Sequence, residues 1–403
     1  MNDLRWIRLS FTDVFGQSNS MQIPGSLWEQ VVENGVVFDG SALEGRARLF
    51  ETDMVLKPVP STLVDLGEGL GRVVCEVLTT AQTAWPGDPR TALRLVTERL
   101  GEMASVWTGT AELEFYVIDD LGKPVDSGFY FDDVLGPAID VVFAAAELLG
   151  AHRCPVLSAH HEAGPGQYEL DIGPLPALEL ADALVLAKQA VRHTARRAGL
   201  QVTYMPRPFD DVPGSGLHVH QHVAGLLDGS SLTEDGRAFV GGQLDHAEGM
   251  CALFAPTVNS YKRLHATAEA PSSIMWSHRH RASLVRVSST GIEFRGADPT
   301  ANPYLFVAAL LLSGADGLSN DTDPGPPEDE SQGGYEGHVV ESRYRPLPRS
   351  LDEAIDLLLT DDVLIDGLDT VLVERLVDGR RSEADEARRH VTPWERSRYL
   401  HDG

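Results

Sequence analysis

Three cysteines in 403 residues, Cys75, Cys154 and Cys251, are too few and too scattered for a disulfide framework or a thiolate metal site. They are expected to be buried thiols. The chain has no uninterrupted apolar run long enough to cross a bilayer, and its first residues, MNDLRWIRLSFTDVFG, lack the apolar core of a signal peptide. A cytoplasmic protein with no membrane partner is expected. Basic residues are scarce as well, because 33 Lys and Arg stand against 60 Asp and Glu, a formal charge of −27. No basic stripe remains to neutralise a phosphate backbone, which excludes nucleic acid as a partner. With 42% hydrophobic residues the chain is not disordered, and its length suffices for two domains.

What is present reads as α+β. Arg5 to Pro24 alternates apolar and polar residues around a glycine turn, the pattern of a hairpin, and strands follow at GVVFDGS and GRVVCEVLTT. From WPGDPRTALRLVTERLGEM onward the period becomes helical. A boundary between Thr83 and Pro89 therefore divides a small β-rich front domain, 1–84, from a larger mixed domain, 85–403. Within the second, GTAELEFYVID is a strand and DDVLGPAIDVVFAAAELLG a helix. AHHEAGPGQYELDIG, from Ala159 to Gly173, is expected to be a loop broken by Gly-Pro-Gly. The acidic, Pro- and Gly-rich SNDTDPGPPEDESQGGYEGH is expected to be a mobile surface loop.

Several strands carry pairs of polar residues two apart. Glu112 and Glu114 of AELEF project from one face while Leu113, Phe115 and Val117 turn to the core. His218 and His220 of PGSGLHVHQH repeat the spacing, and GIEFRG adds Glu293 and Arg295. Each pair alone is an ordinary solvated strand face. Glu112, Glu114, Glu162, Glu169, His218 and Glu293 together offer carboxylates and a single histidine, a donor set for Mg²⁺ or Mn²⁺ rather than zinc. Arg263, Arg279, Arg281, Arg286 and Arg295 supply forks for carboxylate or phosphate. Two cations and an arginine cluster describe phosphoryl transfer.

The motifs FDGS, ETDM, AELEF, HHEAGPGQYEL, GSGLHVHQ, NSYKRL, EAP, IEFRGADPTANPYL and VTPWERSRYL occur in the order of the glutamine synthetase family, which the chain resembles over nearly its whole length. The resemblance implies an N-terminal β-grasp domain, a catalytic domain with a curved antiparallel sheet, and active sites shared between subunits of a hexameric or double-hexameric ring. It implies ATP-dependent amide formation from a small carboxylate and an amine through an acyl phosphate. One Mg²⁺ or Mn²⁺ would be held by Glu114, Glu162 and Glu169, the other by Glu112, His218 and Glu293. Arg263 and Gly214 match the amino-acid site; His220, Arg281, Arg286 and Arg295 match contacts to phosphate. Asp39, Asp53 and Glu269 match residues that attract and deprotonate the amine.

The departures fall on the substrate side. FDGSS has become FDGSA with Ala42, NGSG has become PGSG with Pro213, and the VPGYEAP loop reads HATAEAP from His265 to Pro271. HVHQS has become HVHQH, which puts His222 on the nucleotide side. The expected reaction is therefore addition of an amine to glutamate or a related acid. The alternatives are an ordinary ammonia-using glutamine synthetase, a catalytically silent homologue, and a guanidino kinase, against which GSGLHVH and FDGS both argue.

Overall fold

The computed structural model describes residues 4–45, 53–133, 135–265, 270–328 and 344–401. The opening hairpin forms as its alternation demands: β1 (Trp6–Thr12) returns as β2 (Ser18–Pro24), and Gly16 in the turn has φ +80°, a left-handed value that disfavours any side chain. Asp13 closes the turn by accepting from the backbone N–H groups of Phe15 and Gln17. After α1 (Trp28–Asn34) come β3 (Val36–Phe38), β4 (Met54–Pro58), β5 (Val64–Asp65) and β6 (Leu70–Thr79). The sheet order is β2-β1-β6-β4-β3, with β5 also on β6. Ile7, Leu9, Val73, Cys75 and Val77 share one face and form a small core with Trp28 and Val31. Strand alternation puts Arg8, Ser10, Arg72 and Glu76 on the opposite face.

The larger unit begins with α2 (Pro89–Leu100), whose N-terminus is capped by Asp88, then α3 (Glu102–Val106) and the long β7 (Trp107–Ile118). There follow α4 (Pro137–Ala151), β8 (Val156–His161), β9 (Gln167–Pro176), α5 (Ala177–Arg197), β10 (Gln201–Thr203) and β11 (Leu217–Val223). A minor hairpin, β12 (Leu227–Asp228) and β13 (Ser231–Leu232), precedes α6 (Glu234–Asp245), α7 (Ala247–Phe254) and α8 (Val258–Leu264). Then come β14 (Trp276–Ser277), β15 (Val285–Ser288), β16 (Gly291–Phe294) and α9 (Pro303–Asn320). Helices α10 (Leu351–Leu358), α11 (Asp362–Leu368), α12 (Thr370–Arg389) and α13 (Pro393–Tyr399) end the described chain. The second sheet runs β14-β15-β16-β11-β7-β9-β8, with β10 at the far end of β7. Its back carries Leu113, Phe115, Leu170, Val219 and Phe294, all fully buried, into one core with α5 and α9.

Residues 159–173 differ from the expected loop. They are mostly a hairpin, β8 against β9, with His160 opposite Glu169. Gly-Pro-Gly marks only the turn, while the buried Tyr168, Leu170 and Ile172 give β9 a strand's alternation. The acidic segment at 319–338 starts as the last residues of α9, and its part from 329 onward lies outside the described residues. All three cysteines are buried and free. No described helix is long and apolar enough to cross a membrane.

One buried polar network ties β11 to the core. Trp107 Nε1 donates to Gln221 Oε1 at 3.3 Å, Gln221 Nε2 donates to Gln243 Oε1 at 3.0 Å, and Gln243 Nε2 returns a bond to Gln221 Oε1 at 2.8 Å. Both glutamines are fully buried. Gln243→Leu should lower the unfolding free energy by roughly 1–3 kcal/mol, because it strands the Gln221 amide, whereas the Gln221→Leu/Gln243→Leu double variant should recover part of that loss. Denaturant titration of the three proteins checks this.

Candidate active site

β7 and β11 pair antiparallel with Glu112 opposite His218, and β11 pairs with β16 so that His220 faces Glu293. Alternation then aims Glu112, Glu114, His218, His220 and Glu293 out of the sheet face that the core leaves uncovered. His218 Nδ1 lies 2.9 Å from Glu112 and 3.9 Å from Glu293, and His220 Nε2 lies 2.7 Å from Glu112. Glu112, His218 and Glu293 offer ligand atoms all within 4.8 Å of one another. Glu293 is fully buried between Arg286, at 2.5 Å, and Arg295, whose guanidinium also touches it. Arg295 in turn donates from Nε to the Arg281 carbonyl at 2.7 Å.

A second group forms beside the first. Glu169 stands directly opposite Glu114 across the β7–β9 ladder, an arrangement that repels. His160 Nε2 sits 3.1 Å from Glu162 and 3.8 Å from Glu169, and these three also gather their ligand atoms within 4.8 Å. Glu114 accepts from the Gly216 N–H at 2.8 Å and from Gln167 Nε2 at 3.1 Å. Together Glu112, Glu114, Glu162, Glu169, His218, Arg281, Arg286 and Arg295 line one cleft, with Tyr130 and Ala163.

Protonation follows from this crowding. Burial would raise the Glu112 carboxyl, but hydrogen bonds from His218 and His220 outweigh it and hold it well below the usual carboxylate range. Burial raises Glu114. Glu169 is pushed up to about 12, first by burial and then by Glu114, Glu112, Asp171 and Glu162. Burial opposes ionisation of Glu293, yet Arg295, followed by His218, keeps it below its ordinary value. The Glu162 hydrogen bond raises His160. In the absence of a cation the cleft must therefore hold protons on some of its carboxylates. The donor set of carboxylates and imidazoles on a rigid sheet fits a hard divalent cation, which would displace those protons.

Arg263, from α8, is buried and bonds the Gly296 carbonyl at 3.0 Å and the Arg295 carbonyl at 3.4 Å. The PGSG turn passes against it so closely that a Cβ on Gly216 would lie 2.8 Å from Arg263 Nη2 and 2.5 Å from His218 Nε2. A Cβ on Gly214 would be 2.4 Å from the Pro206 carbonyl oxygen. At Gly214 the obstacle is backbone, so only glycine fits; at Gly216 a Cβ would have to push aside the tips of His218 and Arg263, the site's own side chains. His222 is half-buried on the same face of β11 as His218 and His220, with Nε2 3.4 Å from Thr110 Oγ1.

Two expected residues are elsewhere. Asp39 and Asp53 are exposed on the front domain and do not line this cleft. Glu269 lies outside the described residues. Two residues were not anticipated: His160, whose HHE context carried a signal once β8 is recognised as a strand, and Tyr130. The Tyr130 ring meets His160 edge-on at 5.7 Å, and burial, then Glu162, raises its phenol. No spacing rule marks a loop tyrosine.

The comparisons agree with this architecture. The family model for the β-grasp domain of glutamine synthetase matches residues 3–80, and that for the glutamine synthetase catalytic domain matches residues 86–399. The chain belongs to the glutamine synthetase family. It is 36% identical to a glutamine synthetase of Thermotoga maritima, over 99% of this chain and 97% of the relative, and 35% identical to one of Methanocaldococcus jannaschii, over 99% and 96%. Among solved structures, the ADP complex of GmaS is 29% identical with a TM-score of 0.88, covering 99% of this chain and 97% of that one. A Plasmodium falciparum glutamine synthetase shares the fold at a TM-score of 0.89 and 20% identity, covering 99% and 96%. Family membership makes the protein an ATP-dependent ligase, of a family that uses a divalent metal and assembles into oligomers.

The strained carboxylate cluster has a direct consequence. The folded-state pKa of Glu169 is raised, so its contribution to stability is lost as pH climbs from the unfolded value, near 4.5, toward about 12. In EDTA at pH 7–8, Glu169→Gln should therefore be more stable than the parent by at least about 1 kcal/mol, with the gap widening as pH rises. Thermal unfolding across pH 6–9 checks the sign; a less stable variant contradicts it.

Proposed function

We propose that this chain joins an amine to the γ-carboxylate of glutamate, or to a related acid, at the expense of ATP. The observation that carries the reading is the convergence of the Glu112, His218 and Glu293 group with Arg281, Arg286 and Arg295 in one cleft. A carboxylate is a poor electrophile until one of its oxygens becomes part of a phosphate. Guanidinium groups placed where the transferred charge develops stabilise that transfer without reorganising.

Glu112, His218 and Glu293 would hold one divalent cation; Glu162 and Glu169, with Glu114 or His160, would hold the other. Bound cations would neutralise phosphate and carboxylate charge. Arg263 binds the α-carboxylate of the acid, and the glycines at 214 and 216 let it lie close to the cleft. His220, Arg281, Arg286 and Arg295 bind and orient phosphate oxygens. Asp39 and Asp53, which do not line their own chain's cleft, would act at a neighbouring subunit's site, attracting a protonated amine, with Glu269 taking its proton. A ring assembly, hexameric or double-hexameric, follows from that division.

An amine acceptor is favoured by the chain's departures near the acceptor, Ala42 in place of a serine and HATA in place of VPGY, while Pro213 in place of an asparagine alters the seat of the acid. GmaS, a γ-glutamylmethylamide synthetase, is also among the structural neighbours. The second reading, glutamine formation from ammonia, is favoured by the names of the curated relatives.

Steady-state kinetics with ammonium, methylamine, ethanolamine and a diamine at one pH and Mg²⁺ concentration separate the two. A primary alkylamine should exceed ammonium in kcat/KM by roughly fivefold or more, from loss of one hydrogen-bonding group at the small-ion site. Ammonium as the best acceptor, with glutamine as product, would contradict the first reading. Glu162→Ala and Glu293→Ala should each lower turnover by roughly 100-fold or more and weaken Mg²⁺ or Mn²⁺ binding in calorimetric titration. Unchanged metal affinity in both would refute the ligand assignment.

A further inference from the structure

Away from the cleft, the face of the front sheet opposite its small core holds an electrostatic anomaly. β1 and β6 are parallel neighbours, and their register sets Arg8 directly opposite Arg72, with Ser10 one step along the same face. Like charges on adjacent strands repel. Arg72 is only 3% exposed and Ser10 only 2%. Even so, Arg8 Nε, Arg72 Nε and Ser10 Oγ are buried without a hydrogen-bond partner, and neither arginine forms an ion pair among the described residues. Burial lowers the Arg72 guanidinium from its ordinary value and Arg8 adds to that, while Tyr304 and Asp182 offset it only in part.

The carboxylates of Asp182 and Glu76 are already committed. Asp182 on α5 takes two bonds from Arg90, at 3.0 and 2.9 Å, and one from the Tyr304 hydroxyl at 2.6 Å. Glu76 takes Arg90 at 2.8 Å and Arg94 at 3.2 Å. His193, on α5, feels Arg8, Arg196 and Arg197, with Glu68 opposing, and His152 at the end of α4 feels Arg72, with Asp65 opposing. In a chain of net charge −27, two arginines left unpaired in one buried seam are not a by-product of excess base. Trp6, on the same face two residues before Arg8, keeps 52% of its surface exposed.

We propose that Arg8, Ser10 and Arg72, rimmed by Trp6 and His193, form a binding site for a small dicarboxylate at the seam between the front sheet and α5. Two guanidinium groups match two negative charges, the Ser10 hydroxyl supplies a donor, and the Trp6 ring offers an apolar wall to a carbon chain that inorganic anions lack. None of these residues lines the catalytic cleft. Occupancy would neutralise the repulsion between β1 and β6 and fasten the front domain to α5.

Calorimetry and thermal shift on the full-length protein test this, in phosphate-free buffer with saturating glutamine, a monocarboxylate, so that the cleft does not take up the probe. Succinate and glutarate should bind saturably at one per chain and raise the unfolding temperature, whereas acetate should not. Arg8→Met and Arg72→Met should each weaken dicarboxylate binding by roughly tenfold or more, and the milder Ser10→Ala by a fewfold, with Mg·ADP affinity unchanged in all three. Absence of saturable dicarboxylate binding would overturn the proposal. So would phosphate or acetate binding as well as succinate, or a structure of the assembled protein with a neighbouring subunit's carboxylate between Arg8 and Arg72.

Discussion

The mutual repulsion of carboxylates on one face of the large sheet is the constraint to which the rest of the catalytic unit answers. Glu112, Glu114, Glu162 and Glu169 meet in a cleft where burial already disfavours charge, and Glu293 lies fully buried at its edge. The protein answers partly with its own cations: His218 and His220 on Glu112, Arg286 and Arg295 on Glu293. The answer is incomplete around Glu169, whose carboxyl keeps its proton far above neutrality. A site left short of positive charge on a rigid scaffold is preorganised for divalent cations and for substrates that bring them.

The scaffold explains why the cluster does not relax. β7, β11 and β16 carry their polar residues at alternate positions, while Leu113, Phe115, Val219 and Phe294 lock the same strands into the core. A strand cannot slip to separate the glutamates without turning those side chains into the cleft. The buried Gln221–Gln243 pair holds β11 between His220 and His222. Gly214 and Gly216 let the preceding turn close over Arg263, where a Cβ would meet backbone at the first and displace the site's own side chains at the second.

Much of this was legible in the sequence because strand alternation is a short-range code. Glu112 with Glu114, His218 with His220, and Glu293 with Arg295 each announced a face, and the structure brings those faces together. The Ala159–Gly173 stretch was misread because Gly-Pro-Gly dominates its local signal although it occupies only the turn. His160 was overlooked with it, since its role depends on facing Glu169 across a ladder that the loop reading removed. Tyr130 reaches the cleft from a loop with no period. The unpaired arginines of the front sheet were equally invisible: Arg8 and Arg72 are 64 positions apart, and only the parallel register makes them neighbours. Asp39 and Asp53 carried a family signal but do not line their own chain's cleft, so the role proposed for them requires assembly.

The central claim is that the cleft activates a carboxylate by phosphorylating it. The most direct measurement uses glutamate labelled with ¹⁸O in its γ-carboxylate, with Mg·ATP and the best amine, followed by mass analysis of the released phosphate. Transfer through an acyl phosphate predicts one ¹⁸O atom in each phosphate formed. Phosphate carrying no label from the acid, with oxygen drawn from water instead, would contradict the account.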